Sequence, residues 1–176
     1  RKLFTLNTGH ATAAYLGRMK GYATIEESIN DKQIYAIVKE AMQQSGMGLI
    51  KKFGFDKEKH FAYIEKILRR FQNPYLKDDV TRIGREPLRK LAANDRLIMP
   101  MMTAKGFGLP YDKLLLSIGA ALHFNNPEDP QSVEMIKNIS ELGLQAAVTK
   151  FTGITTDEPV LGEILAAYDK VEKLVK

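Results

Sequence analysis

The chain has 176 residues, 26 basic against 21 acidic, a net charge of +5 at pH 7, and no cysteine. The length suits one domain with a proper core, and the missing cysteine rules out disulfides, zinc-thiolate sites and thiol nucleophiles, as in a reducing, cytoplasmic setting. No apolar run approaches a membrane span, and the basic residues are interleaved with acids, which suits an anionic ligand better than it suits nucleic acid.

The opening stretch RKLFTLNTGH reads as helical, with Lys2, Asn7 and His10 as its polar groups. Residues 34–54 place Ile34, Ile37, Val38, Ala41 and Met42 on one helical face, and Gly54 can stop that helix. Residues 56–71 repeat the pattern, with Phe61, Ile64, Ile67, Leu68 and Phe71 inward, Asp56 as N-cap and His60 on the charged, exposed side. Pro- and Asn-rich punctuation falls at 72–79, 105–110 and 124–130. Residues 110–124 start with proline and are apolar almost all round, as in a buried central helix. SVEMIKNISELG and VLGEILAAYDKVEKLV predict two more amphipathic helices. Strand signals are weak, and the whole predicts one all-α domain over residues 1–176 with about seven to nine helices.

Chemistry concentrates in two places. In a helix over residues 2–10, advancing about 100° per residue, His10 falls about 80° and Asn7 about 140° from Lys2. The three then share one broad face, while Gly9 lies elsewhere and lets a backbone or a ligand approach. A lysine amine screened from water beside another cation can serve as a base near neutral pH. An asparagine amide can donate to a substrate oxygen, and a histidine can hold a hydroxyl or relay a proton. The plain alternative is a helix start with solvated polar side chains.

The second place is DDVTRIGREPLRKL (78–91), where Arg82, Arg85, Arg89 and Lys90 follow closely. Gly84 and Pro87 predict a bend, with Pro87 in a helix first turn. A helix N-terminus flanked by arginines suits an anion. The plain alternative is a solvated basic face paired with Asp78, Asp79 and Glu86. His123 reads as a capping or packing residue, Asp95 as a helix cap, and Tyr15, Tyr22 and Tyr35 as packing residues. With no cysteine, the three histidines His10, His60 and His123 have no mutual metal-ligand spacing.

K-x4-N-x2-H, as Lys2, Asn7 and His10, resembles the signature of the polyol-specific long-chain dehydrogenases. KLFTLNTGHATAAYLG is similar to the start of their C-terminal domain, within the branch that acts on mannitol 1-phosphate. NPYLKDDVTRIGREPLRKLAANDRLI, the helix after GLP, ALHF and NPEDPQ continue the likeness in the same order, over nearly the whole chain.

The resemblance implies a multi-helical domain of the 6-phosphogluconate dehydrogenase C-terminal-like fold. It implies an N-terminal Rossmann domain, absent from this chain, that binds NAD; no G-x-G-x-x-G occurs here. The implied reaction is metal-free hydride transfer between mannitol 1-phosphate and NAD, giving fructose 6-phosphate. Carried over by motif, Lys2 is the general base, Asn7 a donor to the developing alkoxide or a neighbouring hydroxyl, and His10 the residue that orients the substrate. Arg82 and Lys90 look like the substrate-contacting pair. Charge alone adds Arg85 and Arg89 as phosphate ligands. The alternative function is a basic helical module for an acidic partner or nucleic acid.

Overall fold

The computed structural model describes residues 1–175. A π-helical turn, Leu3–Asn7, runs straight into helix α1 (Thr8–Met19). Ten further helices follow: α2 (Ile25–Asn30), α3 (Lys32–Phe53), α4 (Lys57–Phe71), α5 (Val80–Gly84), α6 (Pro87–Lys90), α7 (Ile98–Gly106), α8 (Asp112–Leu122), α9 (Pro130–Leu142), α10 (Leu144–Thr152) and α11 (Pro159–Val175). Among the described residues the only extended pairing is an isolated bridge between Thr24 and Asp79.

The architecture is all-α, as the periodicity predicts, but with more helices than the expected seven to nine. The surplus comes from short helices held by local chemistry. Helix α2 starts with a capping box, in which Thr24 accepts from the Glu27 N–H and the Glu27 carboxylate accepts from the Thr24 N–H. Helices α5 and α6 are each a single turn or little more, too short to show a face.

The long helices follow their sequence signals. Helix α3 opens on Asp31, which accepts from the N–H groups of Gln33 and Ile34, and ends at Gly54 with φ 69°. Its five predicted apolar positions are all buried. Helix α4 opens on Asp56, which accepts from the Lys59 N–H, and buries Ile64, Ile67, Leu68 and Phe71; Phe61 is only half-buried. Helix α8 is buried along nearly its whole length, but Pro110 lies outside it, before the N-cap Tyr111.

Helix α1 is the centre of the packing. It is rich in Gly, Ala and Thr, almost wholly buried, and in contact with α2, α3, α5 and α8. Its small side chains let four neighbours approach one rod closely. Gly9 serves this packing and not a ligand, because a Cβ there would stand 2.4 Å from the sulfur of Met42 on α3. The Thr12 hydroxyl donates to Ser117 of α8 at 2.9 Å. Helix α11 lies against α8 at Gly119, where a Cβ would be 2.7 Å from the Ala167 carbonyl oxygen.

Candidate active site

The first turn of the chain is wider than an α-helical one. The Asn7 N–H donates to the Lys2 carbonyl at 3.1 Å, an i to i+5 closure. This geometry brings Asn7 back nearer to the line of Lys2 than the 140° expected from an α-helix. The turn is fastened to its neighbours: Ser45 of α3 donates to the Phe4 carbonyl, and the Thr5 hydroxyl lies 3.4 Å from His60 Nε2 of α4. His60 is therefore not exposed as expected; it is 1% accessible. Its ring takes the inward position one turn before Ile64, and Gly46 of α3 leaves room for it.

His10, one turn into α1, stacks on Phe71 with centroids 4.8 Å apart and planes 17° apart. Its Nε2 stands 3.1 Å from the Asp78 carboxylate, off the axis of a well-formed hydrogen bond. Burial pushes the imidazole down to about 4, against the pull of Asp78 and with help from Arg82 and Arg70, so it is neutral at pH 7. Asp78 is placed by the bridge between its loop and the start of α2: Ile25 N–H donates to the Asp78 carbonyl, and Val80 N–H to Ala23, each at 2.9 Å.

Asn7 and His10 line a polar cavity of about 150 Å³ together with Arg82, Arg85, Arg89, Lys90 and Arg96. A more open groove of about 350 Å³ shares Arg82 and Arg85 with it and extends toward residues 126–130. Six of the seven sequence-predicted site residues thus meet at one place. Lys2 does not line the cavity; it is exposed, and this chain does not screen it from water.

Arg96 has no signal in the sequence beyond its charge. It is brought in by helix α1, because the Thr8 hydroxyl donates to the Arg96 carbonyl at 2.8 Å. Asp95 caps no helix. Its carboxylate accepts from the Arg96 backbone and guanidinium at 2.6 and 2.7 Å, and these bonds hold it below the usual carboxylate range although burial raises it.

Charge balance in the cavity is uneven. Arg82 pairs with Asp78, Arg89 with Glu86 and Arg96 with Asp95, while Arg85 has no carboxylate partner among the described residues. Lys90 is 3% accessible. Its ammonium donates to the carbonyls of Ile83, at 2.7 Å, and Arg85. The Ile83 carbonyl would otherwise look to residue 87, a proline with no N–H. An ammonium carries three donors, so one remains for the cavity. Burial, then Arg96 and Arg89, push Lys90 down to about 7, against the pull of the Glu86 and Asp129 carboxylates. Tyr15, fully buried on α1, donates to the carbonyl between them, that of Gly84, at 2.9 Å.

Helix α6 does not offer the anion site expected of its N-terminus. It is four residues long, its first residue is a proline with no N–H, and the start of α9 takes two of its amides: Glu86 N–H donates to Asp129 at 2.7 Å and Arg89 N–H to Gln131 at 2.9 Å. Attraction for an anion here comes from side chains. His123 caps α8 and stacks on Tyr168, with centroids 3.7 Å apart, away from the cavity. No group of three or more His, Asp or Glu side chains among the described residues could hold a metal ion, and no helix is long and apolar enough to cross a membrane. The described residues contain no strand–turn–helix unit.

Fold and cavity together define a helical domain with a concave, polar and strongly cationic site. The chain belongs to the mannitol dehydrogenase C-terminal domain family, whose model matches residues 1–171. Two solved structures share the fold. One is Pseudomonas fluorescens mannitol 2-dehydrogenase, in a ternary complex with NAD and D-mannitol, at 18% identity and a TM-score of 0.64 over 98% of this chain. The other is a substrate-free D-sorbitol dehydrogenase, at 16% identity and a TM-score of 0.59 over 84% of this chain. The chain spans 37% and 39% of their respective lengths.

Proposed function

We propose that this chain is the substrate-binding and catalytic-base half of an NAD-dependent dehydrogenase that interconverts mannitol 1-phosphate and fructose 6-phosphate. The observation that carries the reading is the single cavity in which Asn7 and His10 face five cationic side chains. A neutral polyol has no need of that charge; a phosphate end does. The cations converge in a concavity and do not form a stripe, which speaks against a nucleic-acid module.

The chemistry supplied by NAD, when bound on a cofactor domain outside this chain, is acceptance of hydride from the carbinol carbon. This chain serves the other half of the reaction. Lys2 takes the hydroxyl proton as the carbonyl forms, once a covering surface excludes water from its exposed position. Asn7 donates its amide N–H to the oxygen on which charge develops. His10, neutral and braced by Phe71 and Asp78, holds a neighbouring hydroxyl. Arg85 and the uncommitted N–H of Lys90 take the phosphate, with the paired arginines around it.

The test is NAD reduction by the protein that carries this chain, with mannitol 1-phosphate and mannitol compared side by side. The expected result is a kcat/KM for the phosphate at least about 100-fold higher, worth roughly 3 kcal/mol. Equal values for both would remove the phosphate from the reading, and turnover of neither would remove the activity.

A further inference from the structure

The bend between α5 and α6 carries four of the five cations of the cavity, and its backbone is strained. Glu86 has φ 58°, the only non-glycine residue with positive φ among the described residues, and it precedes a proline. A side chain in this region costs about 1 kcal/mol or more, so the surroundings must hold it there.

The holding groups come from α9 and the loop before it. Asp129 is 6% accessible. One carboxylate oxygen accepts from the Glu86 N–H at 2.7 Å, and the other accepts from Gln131 N–H at 3.1 Å and so caps α9. Gln131 in turn accepts from Arg89 N–H. The loop is itself fastened: Ser132 donates to the Phe124 carbonyl and accepts from Asn126 N–H, both at 2.8 Å. The Phe124 ring packs on Gly84, where a Cβ would come within 2.6 Å of it. None of these loop groups adds positive charge to the cavity. Asp129 and Gln131 thus hold the backbone amides of Glu86, next to Arg85, and of Arg89.

We infer that Asp129, seconded by Gln131, is a positioning residue for substrate affinity, fixing the strained Glu86 bend so that the arginines converge on the phosphate. The inference rests on the polyol-phosphate reading above. It places the effect on binding of the non-reacting end, and so on KM.

The experiment uses the whole protein that carries this chain, with mannitol 1-phosphate as the probe. Asp129→Ala should raise KM about tenfold, the loss of one charge-assisted hydrogen bond, with kcat within about twofold. Asp129→Asn keeps an oxygen for the Glu86 N–H and should recover most of the KM. Asp31→Ala, which removes the cap of α3, serves as control: it should lower Tm and leave KM alone. An unchanged KM in Asp129→Ala, or a KM raised equally by Asp31→Ala, overturns the inference. Should Asp129→Ala fail to fold, Gln131→Ala decides, since it unties only Arg89: a KM raised severalfold supports the inference and an unchanged KM overturns it. Arg85→Ala separates the two readings. If it raises KM while Asp129→Ala does not, only the positioning role falls; if it leaves KM unchanged, the phosphate reading itself falls and takes the inference with it.

Discussion

The backbone N–H of Asn7 donates to the carbonyl of Lys2 at 3.1 Å. This one bond makes the turn between them π-helical and brings two chemically useful side chains, five positions apart, toward the same side. One sits in the cavity and the other stands exposed beyond it. If Asn7 donates to the developing oxyanion, Asn7→Ala should lower kcat about 100-fold, with Tm little changed, because its side chain caps no helix. Steady-state kinetics beside a thermal melt reads both.

His10 gives an acid-side prediction. Its folded value, about 4, lies below the 6.5 of the unfolded chain, so between these the unfolded state binds more protons. Stability should therefore fall as pH drops from about 6.5 to 4. His60, also lowered by burial, acts in the same sense. His10→Asn should flatten part of this slope in urea melts across that window. An unaltered slope would mean that His10 is hydrated in solution.

Lys90 gives the alkaline counterpart. The amine is pushed down to about 7, so the cavity loses a cation as pH climbs through that value. KM for mannitol 1-phosphate should rise between about pH 7 and 9, a range in which the phosphate stays a dianion. In Lys90→Met, KM should be higher throughout and that rise should be gone. Lys90's own effect on stability runs the other way: the unfolded chain holds the proton up to 10.5, so stability rises with pH above 7.

The packing of α8 on α11 predicts a purely structural effect. Gly119→Ala would set a Cβ 2.7 Å from a backbone carbonyl that cannot swing aside as a side chain could. The expected loss is about 2 kcal/mol in denaturant unfolding, with KM unmoved.

What could be read from the sequence followed the length of the signal. Helices α3 and α4 span several turns, so their apolar faces and the caps at Gly54 and Asp56 follow from simple rules. Helices α5 and α6 carry most of the cations but hardly more than a turn each, and periodicity has no hold on them. The bend there was legible through Gly84 and Pro87. The occupation of the α6 amides by Asp129 and Gln131 was not, because those partners lie more than forty positions away. The charged neighbours of His60 point it to the surface, but its register with Ile64, Ile67 and Phe71 points inward. The π turn was hidden as well, since nothing in LFTLN departs from ordinary helical composition.

The most direct measurement is Lys2→Ala in the whole protein that carries this chain, with kcat, KM and Tm read together. A general base predicts a fall in kcat of about 100-fold or more, with KM and Tm close to those of the parent. Near-normal turnover would contradict the assignment of the base to this chain.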